Sequence, residues 1–236
     1  MLTRSLAVVP AVLLVATLSA CGGDDGDATA SDPTTASASA SDAASESTDA
    51  ATTCAYTPDG SVADPQLPPA EPTVSGEVKA TLETTIGDLP ITLDADAAPC
   101  TVNSIVFLAE SGYYDDSPCH RMTVADVFKI LQCGDPTGTG TGGPGYTVPD
   151  EITGSETYGE GTLAMANTGA PDSGGSQFFI CYGDTALNAA YTVFGAMDPT
   201  GTDLIADAAR AGVTPEGAQD GAPKTSIQIT GVSITG

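Results

Sequence analysis

The sequence has little positive charge: Lys and Arg total 6 against 31 Asp and Glu among 236 residues, a formal net charge of −25 at pH 7. A protein that binds a nucleic-acid backbone needs clustered Lys and Arg, so this balance excludes nucleic-acid binding. His120 is the only histidine, which excludes a metal site built from several histidines. Tryptophan is absent, whereas the 27 glycines and 17 prolines favour short strands and turns over long helices.

Common catalytic patterns are missing as well. There is no C-x-x-C pair for zinc or thiol–disulfide exchange, and no Ser stands in a G-x-S-x-G elbow. Gly138-Thr-Gly-Thr-Gly-Gly143 satisfies the G-x-G-x-x-G pattern of dinucleotide-binding proteins, but Pro144 and Pro149 follow where a helix would have to begin. We interpret this segment as a surface loop, and we predict neither a cofactor nor a metal ion.

The first 20 residues have the composition of a secretory signal peptide. Arg4 precedes an apolar run from Leu6 to Ala16, which is shorter than the roughly 20 residues that span a bilayer. The ending Leu-Ser-Ala-Cys21 resembles a bacterial lipobox, which implies that Cys21 is lipidated and anchors the protein to the extracytoplasmic face of the cell membrane. The alternative is an ordinary signal peptide followed by a chance cysteine.

Composition divides the remainder of the chain into three parts. Residues 21–53 consist mainly of Asp, Ala, Ser and Thr, which cannot bury enough apolar surface to fold, so we predict a disordered tether behind the lipidated cysteine. Residues 54–77 are rich in proline and are predicted to be a lead-in loop. Residues 78–236 contain the alternating apolar patterns of a folded domain.

The domain begins with a predicted β-hairpin, residues 78–86 and 89–93, joined by a Gly-Asp turn. A helix follows, with Thr101 as its expected N-cap and Gly112 just past its end, and a second helix is predicted over 203–210. Further strands are predicted at 119–122, 127–132, 162–165, 177–181, 192–197 and 225–234. Seven or eight short strands with two helices indicate an all-β barrel or sandwich.

Five cysteines remain once Cys21 is set aside. In an oxidising compartment they favour disulfides, at most two of them, with one cysteine left over. The sequence does not determine the pairing, and Cys100–Cys119 with Cys133–Cys181 is our working prediction.

Four sequence blocks occur in order, namely Cys119-His-Arg121, Leu131-Gln-Cys-Gly-Asp135, Met165-Ala-Asn167 and Gly175-Ser-Gln-Phe-Phe-Ile180. Together they resemble the cyclophilin family of peptidyl-prolyl cis-trans isomerases, here in a bacterial, actinobacterial-like form that is exported as a lipoprotein. The resemblance runs from about residue 78 to residue 234. It implies an all-β fold, a closed antiparallel eight-stranded barrel capped by two α-helices, in a monomer that needs no cofactor.

The resemblance also implies which residues form the site. Arg121 would donate hydrogen bonds to an X-Pro amide as it twists, Gln132 would orient Arg121, and Gln177 would hold a substrate carbonyl. The proline-containing polypeptide would lie against Ala166, Asn167, Phe179, Leu187 and Tyr191, and against one apolar side chain of the long turn, either Phe128 or Ile130.

The sequence departs from the family pattern at three places. The turn between Arg121 and Gln132 is longer than usual, Ala186-Leu187 stands where the family has Trp-Leu, and Tyr191 replaces a histidine of the groove. Two functions therefore stay open: an isomerase that acts on exported proteins, and a non-catalytic module that binds proline-containing peptides at the membrane surface. Retention of Arg121 together with Gln132 and Gln177 favours the isomerase.

Overall fold

The computed structural model describes residues 52–235. The predicted signal peptide, Cys21 and nearly all of the predicted tether lie outside the described residues. Within residues 52–235, neither helix has the length and apolar composition needed to cross a lipid bilayer.

Thirteen strands and two helices are present in the described part of the chain. In order they are β1 (Thr57–Pro58), β2 (Glu77–Thr84), β3 (Leu89–Asp94), α1 (Pro99–Glu110), β4 (Ser117–Pro118), β5 (Arg121–Thr123), β6 (Ile130–Cys133), β7 (Tyr146–Thr147), β8 (Thr162–Met165), β9 (Phe178–Cys181), β10 (Val193–Met197), α2 (Pro199–Ala209), β11 (Val213–Thr214), β12 (Asp220–Pro223) and β13 (Gln228–Ile234).

Eleven of the strands form one curled antiparallel sheet in the order β11-β12-β5-β6-β9-β8-β10-β3-β2-β13-β4, and β1 pairs with β7 separately. The predicted all-β class with two helices is confirmed. The sheet has eleven strands instead of the predicted eight because the short strands β4, β11 and β12 extend it. Its order ends at β11 and β4, so a closed eight-stranded barrel is not confirmed.

The main core lies between the sheet and helix α1. In β2 the side chains of Val78, Ala80 and Leu82 are buried and alternate with more exposed neighbours, as expected for a strand with one face against the core. Helix α1 is buried along almost its whole length, and the aromatic rings of Phe178 and Phe194 meet edge to face beneath it.

Both helices begin earlier than predicted. Helix α1 begins at Pro99, whose fixed φ suits the first helical position, so the expected N-cap residue Thr101 lies inside the helix. The backbone N–H groups of Cys100 and Thr101 donate instead to the Glu151 carboxylate at 2.8 Å each. Helix α2 begins at Pro199 behind Asp198, whose carboxylate accepts the Thr200 N–H as an N-cap.

The predicted disulfide pairing is wrong. The structure pairs Cys54 with Cys100 and Cys119 with Cys133, and Cys181 is a free, buried thiol. Cys119 lies two residues before β5 and Cys133 is the last residue of β6, so the antiparallel pairing of these strands brings the two cysteines together. Cys181 lies opposite Ile130 at the other end of β6, so it is out of reach of Cys133.

Candidate active site

Three polar side chains, on β5, on β6 and directly before β9, form a hydrogen-bonded row. They are Arg121, Gln132 and Gln177, the three residues predicted to be catalytic, and we call them the catalytic row after that prediction. Arg121 lies directly opposite Gln132 in the antiparallel register. Arg121 Nη1 donates to Gln132 Oε1 at 3.1 Å, and Gln132 Nε2 donates to Gln177 Oε1 at 2.9 Å. Each amide thereby fixes the orientation of its neighbour, so the structure brings all three predicted residues together.

The long turn between Arg121 and Gln132 does not disturb this row. Thr123 Oγ1 donates to the Phe128 carbonyl at 2.6 Å and accepts the Ile130 N–H at 3.0 Å, which closes the turn at its base. The extra residues therefore bulge beyond the paired strands. The turn places Phe128 beside the arginine, with Arg121 Cζ lying 5.8 Å from the centre of the Phe128 ring.

Asp220 is a site residue that the sequence analysis missed. Its carboxylate accepts two hydrogen bonds from Arg121, from Nε at 2.8 Å and from Nη2 at 2.7 Å. The hydrogen bond to Asp220 raises the pKa of Arg121, and the same contact lowers the pKa of Asp220. Only the pairing of β12 with β5 brings this carboxylate to the arginine, and no local sequence pattern marks it.

An apolar cluster of side chains lies beside the catalytic row. Its buried members are Ile130, Tyr158, Ala164, Phe179 and Cys181, and its partly exposed members are Phe128, Ala166, Leu187, Tyr191 and Val193. All of the predicted substrate-contacting residues except Asn167 belong to this cluster. Phe128 is partly exposed, whereas Ile130 is only 2% exposed and packs beneath the surface of the cluster.

Tyr158 is a second residue that the sequence analysis missed. Its hydroxyl accepts the backbone N–H groups of Ala190 and Tyr191 and donates to the Tyr191 carbonyl at 3.1 Å. The Tyr191 ring in turn meets Phe179 edge to face, with ring centres 5.3 Å apart. Tyr158 therefore holds the loop that carries Tyr191, one of the partly exposed members of the apolar cluster.

The sequence of residues 79–234 matches the family described as cyclophilin type peptidyl-prolyl cis-trans isomerase/CLD. The chain belongs to the cyclophilin family. It is 39% identical over 197 residues to "Probable peptidyl-prolyl cis-trans isomerase B" of Mycobacterium tuberculosis, covering 77% of this chain and 63% of that protein. The Mycobacterium leprae protein of the same name is 36% identical over 204 residues, covering 80% of this chain and 68% of its own length. The chain thus spans less than two thirds of the M. tuberculosis relative.

Solved structures agree with this assignment. A Cryptosporidium parvum cyclophilin-type isomerase aligns with a TM-score of 0.58 and 29% identity, over 68% of this chain and 98% of that one. The same C. parvum protein in the presence of the dipeptide Ala-Pro aligns with a TM-score of 0.57 over 67% of this chain and 99% of that one.

In the cyclophilin domain, Ala166 and Asn167 line a groove together with Gln132 and Gln177. The Asn167 side chain donates to the Ala190 carbonyl at 2.8 Å and accepts the Gly169 N–H at 3.1 Å. Ala166 N–H donates to the Gln177 carbonyl. These contacts hold the segment 166–167 next to Gln177.

The glycine-rich segment 138–143 of the domain folds around the buried carboxylate of Asp135. That carboxylate accepts the backbone N–H groups of Thr137, Gly140 and Gly142 at 2.7–3.0 Å. Burial opposes ionisation of Asp135, but the hydrogen bonds from the Thr137 hydroxyl and the three amides outweigh it and lower the pKa to about 2. The Gly142 carbonyl then accepts Gln177 Nε2 at 2.9 Å, so the loop continues the catalytic row.

Proposed function

We propose that this protein catalyses the cis-trans isomerisation of X-Pro peptide bonds. The observation that carries the proposal is the hydrogen-bonded row Arg121–Gln132–Gln177 lying beside a partly exposed apolar cluster. An X-Pro bond rotates slowly because amide resonance gives it a barrier of about 18–20 kcal/mol. A group that binds the twisted amide more tightly than the planar one lowers that barrier without a nucleophile or a base.

Arg121 has the donors for this role. A guanidinium carries five N–H groups, of which Asp220 takes one from Nε and one from Nη2, and Gln132 takes one from Nη1. One N–H on each terminal nitrogen remains for the substrate. We propose that these donate to the proline carbonyl and towards the prolyl nitrogen as its lone pair leaves conjugation.

We propose that the exposed face of the apolar cluster forms the pocket for the proline ring. Phe179 would be its floor, and Phe128, Ala166, Leu187 and Tyr191 would be its walls. A dry pocket strengthens the hydrogen bonds next to it, because fewer water molecules compete for the same donors. The structure of the C. parvum relative with Ala-Pro supports a proline-containing ligand for the groove.

The alternative, a module that binds proline-containing peptides without turnover, has one observation in its favour. Asp220 holds the Arg121 guanidinium through two hydrogen bonds and compensates its charge. This compensation weakens the electrostatic stabilisation that Arg121 can provide to the twisted amide. Turnover and binding must therefore be measured separately.

The test is isomerisation of a short Ala-Pro peptide by the wild-type protein, Arg121→Ala and Arg121→Lys. We expect kcat/KM to fall about 10²- to 10³-fold in Arg121→Ala, the usual cost of removing a preorganised donor. Arg121→Lys should restore little of the lost kcat/KM, because an ammonium group lacks the forked donor geometry of a guanidinium. A folded wild-type protein that binds the peptide but gives only the uncatalysed rate would establish the binding module instead.

We further propose that the protein acts on exported polypeptides while anchored at the outer face of the cell membrane through Cys21. Two disulfides in the described part of the chain support an oxidising compartment. Expressed with its own N-terminus, the protein should incorporate labelled palmitate and sediment with membranes, and Cys21→Ser should do neither. A Cys21→Ser protein that still sediments with membranes would refute the lipid anchor.

A further inference from the structure

Residues 52–72 form a strap that lies before the matched family region, and it is fastened to the domain at both ends. Cys54 is bonded to Cys100 at the start of α1, and Tyr56 Oη donates to the Cys100 carbonyl at 2.9 Å. Asn103 Nδ2 donates to the carbonyl of Pro69 at 2.9 Å. A segment fastened in this way has a fixed position on the domain surface.

Between these anchors the strap packs on β7. Thr57 and Pro58 pair with Thr147 and Tyr146, and Asp59 N–H donates to the Gly145 carbonyl at 3.0 Å. Gly145 has a φ of +88°, and a Cβ built there would lie 2.7 Å from Cβ of Val62. The strap therefore approaches the backbone so closely that a side chain at residue 145 would displace it.

A cavity of about 350 Å³ lies between the strap and the catalytic row. Gln132 and Gln177 line it on the side of the row, and Asp59 and Ser61 line it on the side of the strap. Its volume is within the range of ligand-binding pockets. Among the described residues that line this cavity, Asp59 carries the only charge.

Asp59 is oriented but not neutralised. Its Oδ1 accepts the Ser61 N–H at 2.7 Å, which holds the carboxylate in place on the turn. Four of the cations in residues 52–235 are paired with carboxylates elsewhere, Lys79 with Glu77, Arg121 with Asp220, Arg210 with Asp207 and Lys224 with Glu216. A cationic side chain of a bound substrate would find its counter-ion in Asp59.

We propose that the strap is a specificity element: its Asp59 selects proline-containing substrates that place a Lys or Arg side chain in the cavity beside the catalytic row. The inference rests on the proposed function, because it takes the row and its pocket as the place where the proline binds. An acidic side chain at the same substrate position would be repelled by Asp59 and by the acidic domain around it.

The test uses sets of three peptides that differ at one residue near the proline, which is lysine, its uncharged isostere norleucine, or glutamate. One such set is made for each position on either side of the proline. For the wild type we expect one position at which kcat/KM is about two- to fivefold higher for lysine than for norleucine, the size of an exposed ion pair. This ratio should shrink at high salt. Asp59→Asn should bring it to about one, and Asp59→Lys should reverse the preference towards glutamate.

Asp64→Asn is the matched control, since Asp64 lies on the same strap but does not line the cavity, and it should keep the wild-type ratio. An equal lysine preference in wild type and Asp59→Asn, or an equal loss in Asp64→Asn, would overturn the inference. Peptide affinities and turnover of the wild-type protein separate the two proposals. If the wild-type protein gives only the uncatalysed rate but binds the lysine peptide more tightly than the norleucine peptide, and Asp59→Asn abolishes that difference, the strap inference stands and the isomerase proposal fails.

Discussion

The two ends of the groove are built in different ways. At the proline end, strands β5 and β6 carry Arg121 and Gln132, and β9 carries Phe179 of the apolar cluster, so strand register alone sets Arg121 opposite Gln132. At the strap end, loops and a disulfide-bonded segment enclose a polar cavity with one charged side chain. The difference indicates that the residues proposed for catalysis lie on the rigid sheet. The residues proposed for substrate selection lie on loops and on the strap, whose sequence can vary without disturbing the sheet.

Asp135 holds the glycine-rich loop that lines the cavity at the strap end, and Asp135→Asn is the sharpest way to break that end alone. The carboxylate has a pKa of about 2 in the folded protein, against an ordinary value near 3.9. A lowered pKa stabilises the fold above the ordinary value, and this stabilisation is lost as the pH falls through about 2. We expect Asp135→Asn to lower the free energy of unfolding at pH 7 by about 2 kcal/mol.

Urea unfolding at a series of pH values checks this expectation. The difference between wild type and Asp135→Asn should be full at pH 7 and should shrink below about pH 4. Asp88→Asn removes the same charge from an exposed turn and serves as the control. A loss of stability that is the same at low and neutral pH would show that the variant acts through packing and not through the ionised carboxylate.

The sequence was sufficient for the strands of the proline end and for the three residues of the catalytic row. Alternating apolar residues predicted the hairpin β2–β3 and strands β8 and β9 within one or two residues, because each strand has one face in the core. The blocks around Arg121, Gln132 and Gln177 are unbroken in the chain, so their resemblance to the family could be seen without a structure. Helix α1 was predicted with a wrong N-cap, since its first amides are satisfied by Glu151 from a distant loop.

The sequence was not sufficient where distant segments meet. Pairing of Cys54 with Cys100 depends on the path of the strap, and no local pattern specifies that path. Asp220 is 99 residues from Arg121, and only the antiparallel pairing of β12 with β5 joins them. Asp59 enters the groove in the same way, through the pairing of β1 with β7. Long-range pairings thus decide the parts of the site that local patterns leave open.

The smallest expected effect, at the proline end, comes from Asp220→Asn. The Arg121–Asp220 pair is partly exposed, with 36% and 51% of the two side chains accessible, so solvent screens it and its energetic value is small. As a positioning residue, Asp220 should affect kcat more than KM, and we expect kcat for an Ala-Pro peptide to fall about two- to fivefold. Asp220→Glu should restore part of the loss because it returns the charge, and Asp207→Asn should have no effect, since it removes the exposed pair with Arg210. If kcat instead rises in Asp220→Asn, Asp220 restrains the guanidinium. The two hydrogen bonds that orient Arg121 then also weaken its hydrogen bonds to the twisted amide.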